Sequence, residues 1–171
     1  MTKKTLSIIL LFSVINVCLS QSYNLEIEIN NVEIDGVIYM AIYNNSDAFE
    51  NDSDEKDVQR NRWVKNVVEN INIGVYKKSL VLNEGIYAIS LFIDSNDNKK
   101  LDKNLIGIPT EQYGFSNNAM GFLGKPSFKN ASFELIKNSE IKIKFSDLDI
   151  PIMVPTPFLF LEDSKVCQQC I

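Results

Sequence analysis

Apolar and polar residues alternate along much of the chain, in short runs that turn-forming residues separate. Every second residue of 23–29 (YNLEIEI) is apolar, and this period of two predicts a half-buried β-strand. Residues 37–43 and 85–93 are more uniformly apolar, which is typical of strands covered on both faces, and 85–93 is the expected central strand. The same reasoning predicts four further strands, at 65–73, 76–82, 128–135 and 140–145.

These seven short strands are joined by turns, and no sustained amphipathic helical pattern lies between them. The predicted fold class is therefore all-β, an antiparallel seven-stranded β-sandwich with one long loop, 94–121, after the fifth strand. Apolar residues in 63–71 also have helical spacing, but their β-branched content favours a strand there. Residues 47–62 are charged and are expected to form a solvated loop with one helical turn capped by Ser53.

The first twenty residues have the features of a secretory signal peptide. Two lysines precede an apolar run, and small residues suit cleavage near the bond between Ser20 and Gln21. We therefore predict a signal peptide at 1–20, a β-sandwich domain at 21–146, and a secreted or periplasmic protein without a transmembrane segment after cleavage. An uncleaved anchor helix and a lipoprotein lipidated at Cys18 are the two alternatives.

Charge and composition narrow the classes of function. Removal of residues 1–20 leaves 15 Lys+Arg against 22 Asp+Glu, a net charge of −7. An acidic chain without a basic cluster argues against nucleic acid and against anionic membrane surfaces, so the expected partner is a protein or glycan at the cell envelope. The sequence contains no histidine, which excludes His-based acid–base catalysis, Ser-His-Asp and Cys-His systems and imidazole metal sites.

Residues 147–171 form an apolar tail that prolines interrupt and that ends in C-x-x-C. The prolines exclude a helix and leave an edge strand or an extended arm. Cys167 and Cys170 are expected to form a local disulfide or to cross-link chains in an oxidising compartment. A thioredoxin-like motif would need a following helix, and zinc would need two further soft ligands.

Oxygen-bearing side chains recur at alternate positions where the fifth strand ends. With one main-chain carbonyl, that of Lys100, they match the ligand spacing of a calcium-binding loop: Asp94, Asn96, Asn98, Lys100 and Asp102. Lys99 stands where such a loop uses glycine, Leu105 stands where a bidentate Glu belongs, and three nearby lysines offset three aspartates. The sequence therefore predicts a weak Ca²⁺ site, and the alternative is an Asx-rich turn that caps its own main chain.

A second polar and aromatic cluster follows in the same loop. Its members are Glu111, Tyr113, Phe115, Ser116, Asn117 and Asn118. Exposed aromatic rings beside amides could stack on a sugar or hold a peptide, and Glu111 could act as an acid or base. The alternative is that the two rings plug the end of the sandwich while the asparagines turn the chain.

Residues 85–135 contain four motifs in succession: G-x-Y-A, N-x-N-x-K-L-D, G-I-P-T-E-x-Y-G-F-S-N-N-A and P-x-F-x-x-A-x-F. In these motifs the chain resembles the exported bacterial family catalogued as domain of unknown function 2141, over about residues 23–145. The resemblance implies a secreted or periplasmic β-sandwich of transthyretin-like or immunoglobulin-like type, similar to surface-adhesin repeat domains, and brings no established activity. Lys99 departs from the family's usual glycine, and the tail lies outside the pattern.

Taken together, these features predict an exported, non-enzymatic β-sandwich module that binds or has a structural role at the envelope. One alternative is a hydrolase of envelope polysaccharide that uses Glu111 and a nearby Asp as paired carboxylates. Another is an assembly protein that donates its tail, 147–171, as a strand to a neighbouring subunit.

Overall fold

The computed structural model describes residues 21–51, 63–121 and 124–146, which form two β-sheets with few helices. The strands are β1 (Ser22–Val32), β2 (Gly36–Tyr43), β3 (Lys65–Ile71), β4 (Gly74–Asn83), β5 (Gly85–Asp94), β6 (Tyr113–Phe115), β7 (Phe133–Leu135) and β8 (Ser139–Lys144). Two short helices, α1 (Ser46–Glu50) and α2 (Phe128–Ala131), and a 3-10 turn at Ser116–Asn118 lie between them. In these ranges no helix is long and apolar enough to cross a membrane.

β1 is the middle strand of the smaller sheet, whose order is β4-β1-β8. The predicted alternation is confirmed, because Leu25, Ile27 and Ile29 are all buried. β4 runs antiparallel to β1, with Leu80 opposite Leu25. This strand pair gives the smaller sheet one apolar face, which packs on the other sheet.

The pairing of β8 with β1 is parallel, so the prediction of a wholly antiparallel sandwich is wrong at this pair. The chain crosses from the larger sheet at the end where β1 begins, and both strands then run in the same direction. Asn138, in the crossing turn, accepts the N–H of Asn24 through its side-chain oxygen at 2.9 Å. This bond fixes the starting point of the parallel pair.

The larger sheet has the order β3-β2-β5-β6, and β7 pairs with β5 beside β6. β5 lies between β2 and the β6/β7 edge, which confirms it as a central strand. The inward side chains of β2 and β5 form the middle of the core: Ile38, Met40, Ile42, Ile89, Leu91 and Ile93. Each of these side chains is at most 2% exposed.

The described residues contain eight strands, one more than predicted, because the long loop contains β6, which pairs with β5. The predicted strand 128–135 is extended only in its last part, because it begins as α2. Ser127 caps α2 through a bond from the N–H of Asn130 to its Oγ at 3.3 Å. Phe128 and Ala131 are three residues apart, so one helical turn points both into the same hydrophobic cluster.

This cluster is separate from the core between the sheets and covers part of the outer face of the larger sheet. Its buried members are Tyr43, Phe49, Ala88, Phe115 and Ala131. Phe49 of α1 lies at its centre, 5.4 Å from the Tyr43 ring and 6.1 Å from the Phe115 ring, with edge-to-face geometry in both pairs. Asn45 caps α1 by accepting the N–H of Ala48 at 3.1 Å. A helical turn capped by Asn45 is therefore present near the start of 47–62, whereas the turn predicted with Ser53 as its cap lies outside the described residues.

Glu28 lies between two lysines on the outer face of the smaller sheet. Its carboxylate is 2.7 Å from the Lys77 ammonium and 3.2 Å from that of Lys142. These hydrogen-bonded ion pairs lower the pKa of Glu28 from its ordinary 4.5 to about 2. Both lysines are largely exposed, so solvent weakens the stabilisation that each pair provides.

This ion-pair cluster predicts an acid-dependent contribution to stability. A carboxyl whose folded pKa is depressed stabilises the fold above its unfolded pKa, and the contribution is lost as the pH falls toward the folded value. We expect Glu28→Gln to lower the thermal midpoint at neutral pH, and this difference from wild type to vanish between pH 4.5 and about 2. Thermal melts followed by circular dichroism across this range measure it, and a difference that stays constant would contradict the prediction.

Candidate functional site

The segment that contains the candidate residues lies at one end of the sandwich. We define the end loop as residues 94–112, between the end of β5 and the start of β6. Gln112 is buried and joins this loop to the turn after β1, because its side chain accepts the N–H of Glu33 at 2.8 Å and donates to the carbonyl of Asn31 at 3.0 Å. The end loop is thus fixed to its neighbouring turn.

Asp94 begins the end loop and is 1% exposed. One of its carboxylate oxygens accepts the main-chain N–H groups of Asn96 and Asn98, both at 3.2 Å, and the other accepts that of Lys99 at 2.7 Å. Three donors satisfy a charge that would otherwise be costly to bury. The Asp94 side chain therefore shapes the turn that follows β5.

Glu111 ends the same loop and is also buried, at 4% exposure. One carboxylate oxygen accepts both the N–H and the hydroxyl of Ser95, at 2.9 and 3.0 Å. The other oxygen accepts the N–H of Asp102 at 3.1 Å. This carboxylate therefore links the first, middle and last parts of the end loop.

The predicted calcium ligands do come together, but they bond to one another. The side-chain amides of Asn96 and Asn98 donate to the two oxygens of Asp102, at 2.7 and 2.8 Å. The side-chain oxygen of Asn96 accepts the N–H of Asn98 at 3.1 Å, and that of Asn98 accepts the N–H of Lys100 at 2.9 Å. Each side-chain oxygen of this set already accepts a hydrogen bond, as in a self-capped Asx turn, and the Ca²⁺ site itself stays a prediction.

Two residues of this turn have a left-handed main-chain conformation. Lys99 has φ 65°, in the left-handed region where a calcium loop uses glycine, and Asp97 has φ 60°. Within the described ranges no group of three or more Asp, Glu, Cys or His side chains is placed to hold a metal ion.

The middle of the end loop is a small hairpin, residues 102–110. Thr110 donates its N–H to the carbonyl of Asp102 at 2.8 Å, and a β-bridge joins Lys103 to Pro109. Asn104 organises the turn, because its side-chain oxygen accepts the N–H groups of Ile106 and Ile108 at 3.1 and 3.0 Å. These bonds give the turn a defined conformation.

Two aliphatic side chains project from the tip of this hairpin. Leu105 is 107% exposed and Ile106 is 78% exposed. Neither residue is among the site residues predicted from the sequence. Leu105 appears there only as a departure from the calcium-loop pattern. The signal in the sequence is an apolar pair in the middle of a strongly polar segment, between Asn104 and Gly107.

The second predicted cluster is mainly structural. Phe115 is buried against Phe49, and Tyr113 is half-buried beside it. Ser116 is buried, and its hydroxyl accepts the N–H of Ile89 at 2.8 Å and donates to the carbonyl of Ala131 at 2.6 Å. These contacts favour the interpretation in which the rings and the hydroxyl close the second hydrophobic cluster.

Asn117 and Asn118 turn the chain, as the same interpretation expects. Both have positive φ, 58° and 49°. Asn117 donates its side-chain amide to the carbonyl of Ser132 at 2.7 Å, and Asn118 accepts the N–H of Lys144 at 2.7 Å.

The predicted signal peptide and the tail with Cys167 and Cys170 lie outside the described residues, so those assignments stay predictions.

The two β-sheets, with a hydrogen-bonded loop at one end, make this a mainly β protein. The chain belongs to the family of uncharacterized proteins conserved in bacteria, DUF2141, whose model matches residues 27–144. This confirms the resemblance that the motifs show. No curated protein and no solved structure matches the chain.

Glu111 is expected to stabilise the loop that it links. Glu111→Ala removes the acceptor of two main-chain N–H groups and should lower the free energy of unfolding by roughly 1–3 kcal/mol. Urea unfolding followed by circular dichroism measures this change. Glu134→Ala is the matched control, because Glu134 is exposed on β7, and it should change the free energy by less than about 0.5 kcal/mol. Equal effects of the two substitutions would show that Glu111 has no such role.

The self-capped turn and the calcium site predict different responses to Ca²⁺. Because the candidate side-chain oxygens already accept hydrogen bonds, we expect millimolar Ca²⁺ to leave the thermal midpoint of the wild type unchanged. Asp94→Ala, which removes three hydrogen bonds, should lower the midpoint equally with Ca²⁺ and with a chelator. A rise with Ca²⁺ in the wild type that Asp94→Ala abolishes would establish the calcium site.

Proposed function

We propose that this protein is an exported, non-enzymatic module that binds a component of the cell envelope through the tip of its end loop. The observation that carries the proposal is the contrast between a firmly held loop and its apolar tip. Leu105 and Ile106 are the most exposed large apolar side chains in the described ranges. A pre-ordered turn lowers the conformational cost of a contact made by the aliphatic side chains that it presents, which supports a binding role for the tip.

The environment of Glu111 supports a binding module over the hydrolase alternative. A general acid or base must reach the substrate, but Glu111 is buried and both its oxygens accept hydrogen bonds from the chain itself. Asp102, the nearby carboxylate, accepts the amides of Asn96 and Asn98. Both carboxylates therefore bond to the protein itself. A hydrolase would need them to face a cleft that holds the substrate.

Strand order supports the transthyretin-like type over the immunoglobulin-like type. Immunoglobulin constant domains place their first two strands in the same sheet. Here β1 pairs with β4 and β8, whereas β2 pairs with β3 and β5. Export itself rests on the sequence of residues 1–20, and the proposal includes it.

Binding to the cell envelope tests the role of the tip. We expect mature protein, residues 21–171, to bind an isolated bacterial envelope fraction in co-sedimentation, and Leu105→Asp to weaken that binding roughly tenfold, because the tip loses its aliphatic contact. Val81→Asp is the matched control, since Val81 is 70% exposed on β4, away from the end loop. It should bind like wild type.

Thermal midpoints of both variants should stay within a few degrees of the wild type, because both side chains are exposed. If Leu105→Asp and Val81→Asp bind equally well, the tip is not the recognition element and the proposal fails.

A further inference from the structure

The outer face of the smaller sheet is charged. Strand pairing places Glu28 between Lys77 and Lys142. In the neighbouring row, Glu26 lies opposite Glu140. Glu28 forms ion pairs with both lysines, which are themselves largely exposed. Charged side chains of this kind are typical of a surface in contact with water, so this face needs no cover.

The outer face of the larger sheet differs in the region between the end loop and the second cluster. Three successive rows of paired residues cross this region, through Val37, Tyr39 and Ala41 of β2. Among the described residues of these rows, Asp94 is the one charged residue, and it is buried by its bonds within the end loop. These rows therefore present no charged side chain to solvent.

The middle row consists of one valine and three aromatic residues. We call it the aromatic strip, and the strand register places its members side by side from β3 to β6: Val68, Tyr39, Phe92 and Tyr113. Paired residues of neighbouring strands lie on the same face of a sheet, so these side chains form a continuous surface. Val68 is 51% exposed, and the three rings are half-buried. The rings of Tyr39 and Phe92 stack on each other, with their centroids 5.1 Å apart.

One end of the aromatic strip lies where the described part of the chain ends. Ser146 donates its N–H to the carbonyl of Tyr113 at 2.8 Å, and its hydroxyl accepts the N–H of Tyr113 at 3.2 Å. Residues 147–171 therefore begin beside the last residue of the strip. From residue 150 to residue 161 the sequence is mostly apolar and contains no charged residue.

We propose that residues 150–161 pack across the outer face of the larger sheet of the same chain, along the aromatic strip. The strip crosses three interstrand spacings, roughly 14 Å, which about five extended residues span. The segment is therefore long enough to cover it. Contact between the two removes apolar side chains of both from water, which favours the packed state.

The prolines of the segment favour packing on the face of the sheet over pairing at its edge. Pro151, Pro155 and Pro157 have no N–H, so they cannot donate the ladder hydrogen bonds that an added strand needs. A segment that lies on the face of a sheet forms contacts through side chains and does not need this ladder. Donation of the tail as a strand to a neighbouring subunit is thus the less favourable arrangement.

Proximity favours the tail of the same chain over another molecule. Because Ser146 is bonded to Tyr113, the segment starts next to the strip and has an effective concentration there of roughly millimolar. A tail from a second copy would have to reach the same surface by diffusion. The inference is independent of the proposed function, because it involves neither Leu105 nor Ile106.

Native-state proteolysis of mature protein, residues 21–171, tests this packing. Thermolysin cleaves beside large apolar residues, and the cysteines are kept reduced so that Cys167 and Cys170 do not cross-link chains. We expect slow cleavage within 150–161 in the wild type. Val68→Asp should accelerate it roughly tenfold, because a charge in the strip removes an apolar contact and raises the population of the released tail. Mass spectrometry of timed samples measures the rate.

Val81→Asp is the matched control. Val81 is 70% exposed on the outer face of the smaller sheet, and β4, like β3, is an edge strand. This variant should be cleaved within 150–161 at the wild-type rate. Circular dichroism should show that both variants are folded at the assay temperature, because both side chains are exposed.

A substitution in the tail provides a second test that changes no residue of the two sheets. Met153→Asp should accelerate cleavage at residues 158–161 by a similar factor. Wild-type cleavage rates in both Val68→Asp and Met153→Asp would overturn the inference. Protection that increases with protein concentration would assign the strip to the tail of a second copy, and would also overturn packing within one chain.

Discussion

Two buried carboxylates hold the end loop on the sandwich, and its geometry depends on them. Asp94 and Glu111 stand at opposite ends of the loop, and together they accept hydrogen bonds from five main-chain N–H groups. A buried carboxylate without such donors would be costly, whereas one that accepts several of them fixes the direction of the main chain around it. No described buried side-chain polar atom lacks a hydrogen-bond partner.

The two sheets meet closely on the side of β6, and this contact positions the strand to which the end loop returns. Ser146 donates its N–H to the carbonyl of Tyr113 at 2.8 Å, so the chain beyond β8 runs against β6. A Cβ on Gly114 would lie 3.2 Å from a methyl of Ile143 and 3.3 Å from the carbonyl of Lys144. Glycine therefore allows β6 to approach β8, and the end loop returns to the sandwich beside the central strand.

The sequence predicted the strands well where a period of two is visible, and less well where bonds between distant residues decide the structure. β1 and β5 follow directly from their apolar pattern. The parallel pairing of β8 and the three-residue strand β6 do not, because each depends on partners far along the chain. The helix α2 was missed because it is only four residues long. Over so few residues, the apolar spacing of a helix cannot be distinguished from that of a strand.

The candidate site shows the same division. The turn of Asp94 to Asp102 was recognisable from its alternate oxygen-bearing side chains, and its self-capped form was among the alternatives. Burial of Glu111 was not predictable, because an acid in a polar loop reads as a solvated or catalytic group until its donors are known. Under the proposed binding role, the hydrogen bonds to Asn104 pre-order the main chain of the tip, so a contact there would cost little further main-chain freedom. A short apolar contact can then suffice for recognition, because the loop that presents it is already ordered.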